Sequence, residues 1–243
     1  TPTLLYAQLS VGGEKIGPAL VLQPLVSPKS AQGGGGGVRF SDGPNTYSGL
    51  RIYVDQHVVF ETDKGEIEFQ LRPDAAPNTA FNFRHLVEGG FYTDIVFHRI
   101  VAKLPNGEPF VIQVGDPTGS GMGGPGYQVD LEPSTLPHDF GVLSNARSGD
   151  PNSNGSQVFV CLSRNGTSFL DGQYTSFAQA VRGGDVIRAI AAVPTGPGDK
   201  PLDPMPKIKS AKLIDAPPFA GAIKMTDAGV KKDAIETNKP AER

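Results

Sequence analysis

Val58-Val59-Phe60-Glu61-Thr62-Asp63-Lys64-Gly65-Glu66-Ile67-Glu68-Phe69-Gln70-Leu71 reads as two strands joined by a tight Lys-Gly turn. Apolar side chains fill the first arm, and on the second Ile67, Phe69 and Leu71 fall on alternate positions, the period of a strand with one buried face. Alternation begins upstream at Ile52 and Val54. Further strand-like runs occur at residues 95–101, 110–114, 158–162, 175–180 and 208–213, separated by clusters of Gly, Pro, Asn and Asp. Two helices interrupt them. The first has Pro77 in its opening turn, continues through residues 79–87 and ends at Gly89-Gly90. The second is predicted from Asp185 to about residue 193, before Pro194.

Many short strands with a helix near each end of the set suit a closed antiparallel barrel capped by helices. Pattern alone does not choose a barrel over a sandwich. Composition agrees with a mainly β class: the chain has 243 residues with 31 Gly, 22 Pro and no Trp, so it is punctuated too often for long helices. Its hydrophobic fraction of 38% supports one sizeable core plus extensions. Residues 1–49 differ from the rest of the chain, with apolar runs at 4–11 and 19–26 and the glycine run from Gly33 to Gly37, which reads as a flexible linker. The expected organisation is an N-terminal extension over 1–49, one domain over 50–216 and a mobile tail over 217–243.

A formal net charge of -3 with scattered Lys and Arg gives no electrostatic footprint for nucleic acid. No run approaches the ~18 apolar residues of a membrane span. Cys161 is the only cysteine, so neither an internal disulfide nor a thiolate metal cluster can form; within Val158-Phe159-Val160-Cys161-Leu162 it reads as a small core hydrophobe. The first residue is Thr1, which fits a mature form after loss of a secretory signal and equally fits a chain trimmed for another reason. The expected location is therefore extracytoplasmic, periplasmic or secreted.

Gly119-Ser120-Gly121-Met122-Gly123-Gly124 matches a dinucleotide fingerprint, but Pro125-Gly126 blocks the helix that would hold a pyrophosphate. It reads as a connecting loop. His57, His85, His98 and His138 lack metal-ligand spacing, so no metal or other cofactor is expected. Asn154-Gly155-Ser156 and Asn165-Gly166-Thr167 read as turns rather than glycosylation sites. Arg99, Gln113 and Gln157 are harder to explain blandly. All three sit on apolar strands near Phe110 and Phe159, where a polar head is costly unless it reaches a partner or a groove. A binding site and a buried structural network fit that pattern equally.

Phe97-His98-Arg99-Ile100, Phe110-Val111-Ile112-Gln113 with Gly115-Asp116, Gly121-Met122-Gly123-Gly124, Gly141-Val142-Leu143-Ser144, Asn154-Gly155-Ser156-Gln157-Val158-Phe159 and Phe169-Leu170-Asp171-Gly172 resemble, in order, the motifs of the cyclophilin family. The resemblance covers roughly residues 56 to 216. It implies an eight-stranded antiparallel β-barrel capped by two α-helices, with its active groove on the outer face, and peptidyl-prolyl cis/trans isomerase activity on proline-containing polypeptides. By position it makes Arg99, Phe110 and Gln113 catalytic, with Gln113 orienting Arg99. It assigns Val111, Ala146, Arg147, Gln157, Phe159, Phe169, Leu170 and Tyr174 to substrate binding.

The chain departs from the family's usual Met, Asn, Trp and His at Val111, Arg147, Phe169 and Tyr174. It also carries about six extra residues within 102–109, a loop placed to extend or cover the groove. Phe169 lacks an indole N–H, so cyclosporin binding is expected to be weakened. The alternative implied by these departures is a peptide-binding scaffold or chaperone on the same barrel, with weak or no isomerase activity.

Overall fold

The computed structural model describes residues 4–34, 37–41 and 46–217. The N-terminal part is not a bare extension. Strands β1 (Leu5–Val11), β2 (Glu14–Val26) and β5 (Tyr47–Val54) form a three-stranded antiparallel sheet, and β3 (Ser30–Gly34) pairs with β4 (Gly37–Ser41) in a separate hairpin. The glycine run therefore lies in paired strands on both sides of residues 35–36, which corrects its reading as a linker. Ladder hydrogen bonds supply the order that glycine's composition hides. Strand β5 also crosses the boundary drawn at residue 50, because Leu50, Ile52 and Val54 face Pro24, Leu22 and Leu20 of β2.

One side of this sheet packs on the first helix, α1 (Pro77–Glu88): Tyr53 meets Phe81 edge-on at 5.3 Å, and the Arg51 guanidinium lies 3.8 Å over the Phe81 ring. The other side presents Leu5, Leu9, Ile16, Leu20, Leu50 and Ile52, all exposed.

The remaining strands are β6 (Gln56–Thr62), β7 (Gly65–Leu71), β8 (Ile95–Val96), β9 (Arg99–Val101), β10 (Val111–Val114), β11 (Val142–Asn145), β12 (Val158–Cys161), β13 (Ser176–Arg182) and β14 (Lys207–Asp215). They form one antiparallel sheet in the order β8-β14-β6-β7-β13-β11-β12-β10-β9. Its two end strands, β8 and β9, are successive pieces of one run broken at Phe97-His98. The nine pieces thus amount to eight strands and the order closes on itself, so the eight-stranded barrel holds. The β6–β7 hairpin pairs Thr62 with Gly65 around the expected turn.

Inside the barrel, Phe60, Phe69, Phe83, Tyr92, Phe97, Ile100, Ile112, Leu143, Val160 and Phe177 form the main core. Helix α1 covers one opening with Ala80, Phe83, Leu86 and Val87, spaced along one helical face. Its N-cap residue, Ala76, offers no side-chain acceptor. Instead the half-buried Glu132 carboxylate accepts the N–H groups of Asn78 and Thr79 at 3.1 and 2.9 Å, satisfying donors the helix leaves open.

A second full helix, α3 (Gly184–Ala191), buries Val186, Ile187 and Ile190, and a single turn, α2 (Arg164–Thr167), precedes it in the chain. No helix among the described residues is long and apolar enough to cross a membrane. The tail beyond Pro217 lies outside the described residues.

Candidate active site

Register places the site. Arg99 on β9 faces Gln113 on β10, Gln113 faces Phe159 on β12, and Phe159 faces Ser144 on β11. Opposed residues send their side chains to the same side of a sheet, so these four stand in one row. Val101, Val111 and Cys161 form a parallel row two residues along. The row between them, Ile100, Ile112, Val160 and Leu143, belongs to the interior. Arg99, Gln113 and Phe159 therefore lie on the outside of the barrel.

The outer side has its own apolar floor. Val111, Phe159, Cys161 and Leu170 are buried there together, with Phe110, Ala146 and Tyr174 packed against them. Phe169, 60% exposed, stacks on Phe110 at 5.7 Å. Tyr174 meets Phe159 edge-on at the same distance. Cys161 is free and buried, and burial pushes its thiol well above the usual range, so it is the inert hydrophobe expected.

Next to this floor runs a cleft of about 690 Å3 lined by Gln113, residues 121–128, Ala146, Arg147, Ser148 and residues 153–157. Gln113 Nε2 donates to Gln157 Oε1 at 2.9 Å, and Gln157 Nε2 donates to the carbonyls of Gly121 and Gly123 at 2.9 and 2.8 Å.

The glycine loop that mimicked a nucleotide fingerprint is thus a wall of the cleft, wound around Asp116. Burial pushes that carboxyl's pKa up, but hydrogen bonds from the Thr118 N–H and hydroxyl and from the Gly123 and Gly121 N–H groups outweigh it. Asp116 is held well below the usual carboxylate range. A Cβ on Gly123 would run into Asp116 Oδ1, so only glycine fits there.

Two expectations change in detail. No hydrogen bond joins Gln113 to Arg99: Gln113 Nε2 donates to Gln157, and the Arg99 guanidinium donates to Asp199 Oδ2 at 3.3 Å. The 102–109 loop does not cover the groove. It turns on itself through Leu104 N–H to the Glu108 carbonyl and Gly107 N–H to the Leu104 carbonyl, both 2.8 Å. Ala102, Lys103 and Pro109 line a separate hollow with Phe140, Leu162 and α3.

Arg147 is turned into its own rim. Its Nε and Nη2 donate to the Gln173 carbonyl at 3.2 and 3.0 Å, Nη1 donates to the Ser148 carbonyl at 2.9 Å, and the guanidinium lies 4.5 Å from the Tyr174 ring centroid.

Sequence reasoning missed Asp199 and a buried network beneath Phe159. His138, stacked on Phe159, bonds through Nδ1 to Asp171 Oδ1 and through Nε2 to Ser144 Oγ, each at 2.9 Å. The order Ser-His-Asp matches a nucleophilic triad, but Ser144 is 0% exposed, so no substrate reaches its hydroxyl. The network is a support. Burial lowers the pKa of His138 against the raising effect of Asp171, and burial likewise lowers that of His98. Both rings are kept neutral. No local pattern marks these partners, since Asp199 lies 100 residues from Arg99 and Asp171 lies 33 from His138.

An antiparallel barrel sheet with an arginine, two glutamines and an apolar pocket on its outer face is the arrangement that the sequence resemblance implies. The family model described as cyclophilin type peptidyl-prolyl cis-trans isomerase/CLD matches residues 57–213, and the chain belongs to that family. The chain is 39% identical over 163 residues to peptidyl-prolyl cis-trans isomerase-like 1 of Aspergillus fumigatus, covering 65% of this chain and 95% of that protein. It is 36% identical over 162 residues to peptidyl-prolyl cis-trans isomerase ppi1 of Schizosaccharomyces pombe, covering 65% and 99%. A crystal structure of a Cryptosporidium parvum cyclophilin type peptidyl-prolyl cis-trans isomerase, solved in the presence of the dipeptide Ala-Pro, superposes with a TM-score of 0.59 at 32% identity, over 66% of this chain and 100% of that one. The activity of this chain is peptidyl-prolyl cis-trans isomerisation.

Proposed function

We propose that the outer groove seats the proline ring of an Xaa-Pro segment over Phe110, Phe159 and Leu170, and that Arg99 lowers the barrier to rotation about the preceding amide. That barrier is roughly 18–20 kcal/mol, because twisting destroys partial double-bond character. No covalent bond need break, so no cofactor is required. The catalyst's task is to bind the twisted amide more tightly than either planar form. Twisting pyramidalises the prolyl nitrogen and gives it a lone pair that the planar amide lacks. Arg99 spends one donor on Asp199 and has others to aim at that nitrogen. A fixed donor in a partly dry site contributes on the order of 3 kcal/mol when the contact exists only in the transition state.

The linked amides of Gln113 and Gln157 orient the substrate's backbone, and Ala146, Arg147 and Gln157 meet the residues before the proline. Val111 closes the floor, while Phe169 and Tyr174 form the rim. With no indole N–H at Phe169, cyclosporin binds weakly. Unfolded or exposed proline-containing polypeptides are the partners, and nucleic acid is not.

The observation carrying this reading is the cross-strand row that sets Arg99, Gln113 and Phe159 side by side over an apolar floor. Exchange NMR on a short proline peptide tests it. The protein is expected to accelerate exchange above the buffer rate, and Arg99→Ala to remove at least about a hundredfold of that acceleration. No acceleration by the unsubstituted protein overturns the reading.

A further inference from the structure

The β3–β4 hairpin touches segments next to the rim of the groove. On one edge of the β3–β4 hairpin, Val38 N–H donates to Gln173 Oε1 at 2.9 Å; on the other, Asn152 Nδ2 donates to the Ala31 carbonyl at 3.1 Å. Gly37 has φ +106, and a Cβ there would stand 2.7 Å from Gln173 Oε1. Glycine is favoured at that position by its backbone angle, while the close approach is to the movable end of the Gln173 side chain. The contacts then continue inward. The Gln173 carbonyl accepts from Arg147, the Arg147 guanidinium lies over Tyr174, and Tyr174 packs on Phe159 in the pocket.

We infer that the β3–β4 hairpin is the outer end of the substrate site, taking up in extended form the polypeptide segment upstream of the proline. The inference rests on the reading of the groove given above, in which Ala146 and Arg147 meet the residues before the proline. Gln173 links the two, accepting from Arg147 through its carbonyl and from the Val38 N–H through its side chain. Its pairing sets Gly33 opposite Val38 and Ala31 opposite Phe40. With Val38 N–H and the Ala31 carbonyl both turned outward, antiparallel alternation turns the backbone groups of Phe40 outward on the same edge as Val38.

Such an edge recognises an extended peptide by its main chain, with little demand on its side chains. The exposed side chains between, Gln32 and Arg39, are polar and long, and do not form a pocket that would select one residue type. The ligand class is therefore extended polypeptide of broad sequence, recognised by length.

Two peptides with one Xaa-Pro core test this, one ending just before the core and one extended upstream by about six residues, roughly 20 Å of strand. Their affinities for the full chain are measured by chemical-shift titration. The extended peptide is expected to bind about threefold to tenfold more tightly, the effect of one or two added main-chain hydrogen bonds. Gly37→Ala, which strains the hairpin backbone next to the anchored Val38 N–H, and Gln173→Ala, which removes the anchor without touching the hairpin's backbone, should each bring that ratio close to one.

A ratio of one in the unsubstituted protein overturns the inference. So does a ratio that survives both substitutions, including one where both peptides weaken together. Exchange rates on the short peptide report separately on Arg99: a protein that keeps its length preference but does not accelerate exchange refutes the catalytic reading and leaves this one standing.

Discussion

At the pocket end of the groove, Arg99, Gln113 and Phe159 hang from three strands in register, each backbone fixed by its neighbours. At the rim end, Arg147, Gln173 and Asn152 sit on connecting segments and are held by side-chain contacts to carbonyls and to a hairpin more than 100 residues away in sequence. The first arrangement sets position through the sheet itself. The second sets it through contacts that single substitutions can undo. Chemistry that tolerates little misplacement occupies the first, and recognition of a variable polypeptide occupies the second.

Arg99→Lys is the sharpest way to break this contrast. Lysine keeps the charge but offers a compact ammonium in place of a planar fork of donors. If the pocket works by fixed geometry, kcat/KM falls by about a hundredfold or more, close to the effect of Arg99→Ala. A lysine variant within a few-fold of the unsubstituted protein would falsify the geometric account and leave charge alone as the cause.

Asp199→Asn asks how much of that geometry is supplied from outside the sheet. Asp199 sits at φ 60, a left-handed conformation that Asp and Asn both tolerate, so the substitution removes charge without changing the backbone demand. Loss of its hydrogen bond to Arg99 is expected to lower kcat about threefold to tenfold while KM stays within twofold, with partial recovery in Asp199→Glu. An unchanged kcat would mean that β9 positions Arg99 unaided.

Arg147→Asn probes the rim. Since the guanidinium is committed to the Gln173 and Ser148 carbonyls, the expected change is a shift in KM of about twofold to fivefold with kcat unaltered. A comparable fall in kcat would join the two ends into one unit.

The same division explains what the sequence makes readable. The β6–β7 hairpin and the strands bearing Arg99, Gln113 and Phe159 are visible because alternation is a local signal and because a charged or amide side chain stands out on an apolar strand. The N-terminal sheet is half visible: its apolar runs show, but β5, the strand that completes it, lies across the apparent boundary at residue 50. The hairpin's glycines look like a linker because composition carries no trace of Gln173, 135 residues beyond its partner Val38. Asp199 and the His138–Asp171 pair are likewise contacts between distant segments, and neither residue's neighbours announce its partner.

The smallest expected effect concerns the support beneath the pocket. His98 and His138 have pKa values lowered by burial, so the folded protein refuses protons that the unfolded chain accepts near pH 6.5. The unfolded state then binds more protons below that pH. The contribution of these two histidines to stability is full above about 6.5 and declines as pH falls beneath it. Imidazole resonances assigned to His98 and His138 should keep neutral-ring shifts as the pH is lowered through 6.5, and replacing His138 with Gln should flatten the decline in unfolding free energy between pH 7 and 5. If His138 titrates at the ordinary value in the folded protein, its ring is not shielded. The network under Phe159 would then have to be counted with the adaptable rim rather than with the fixed pocket.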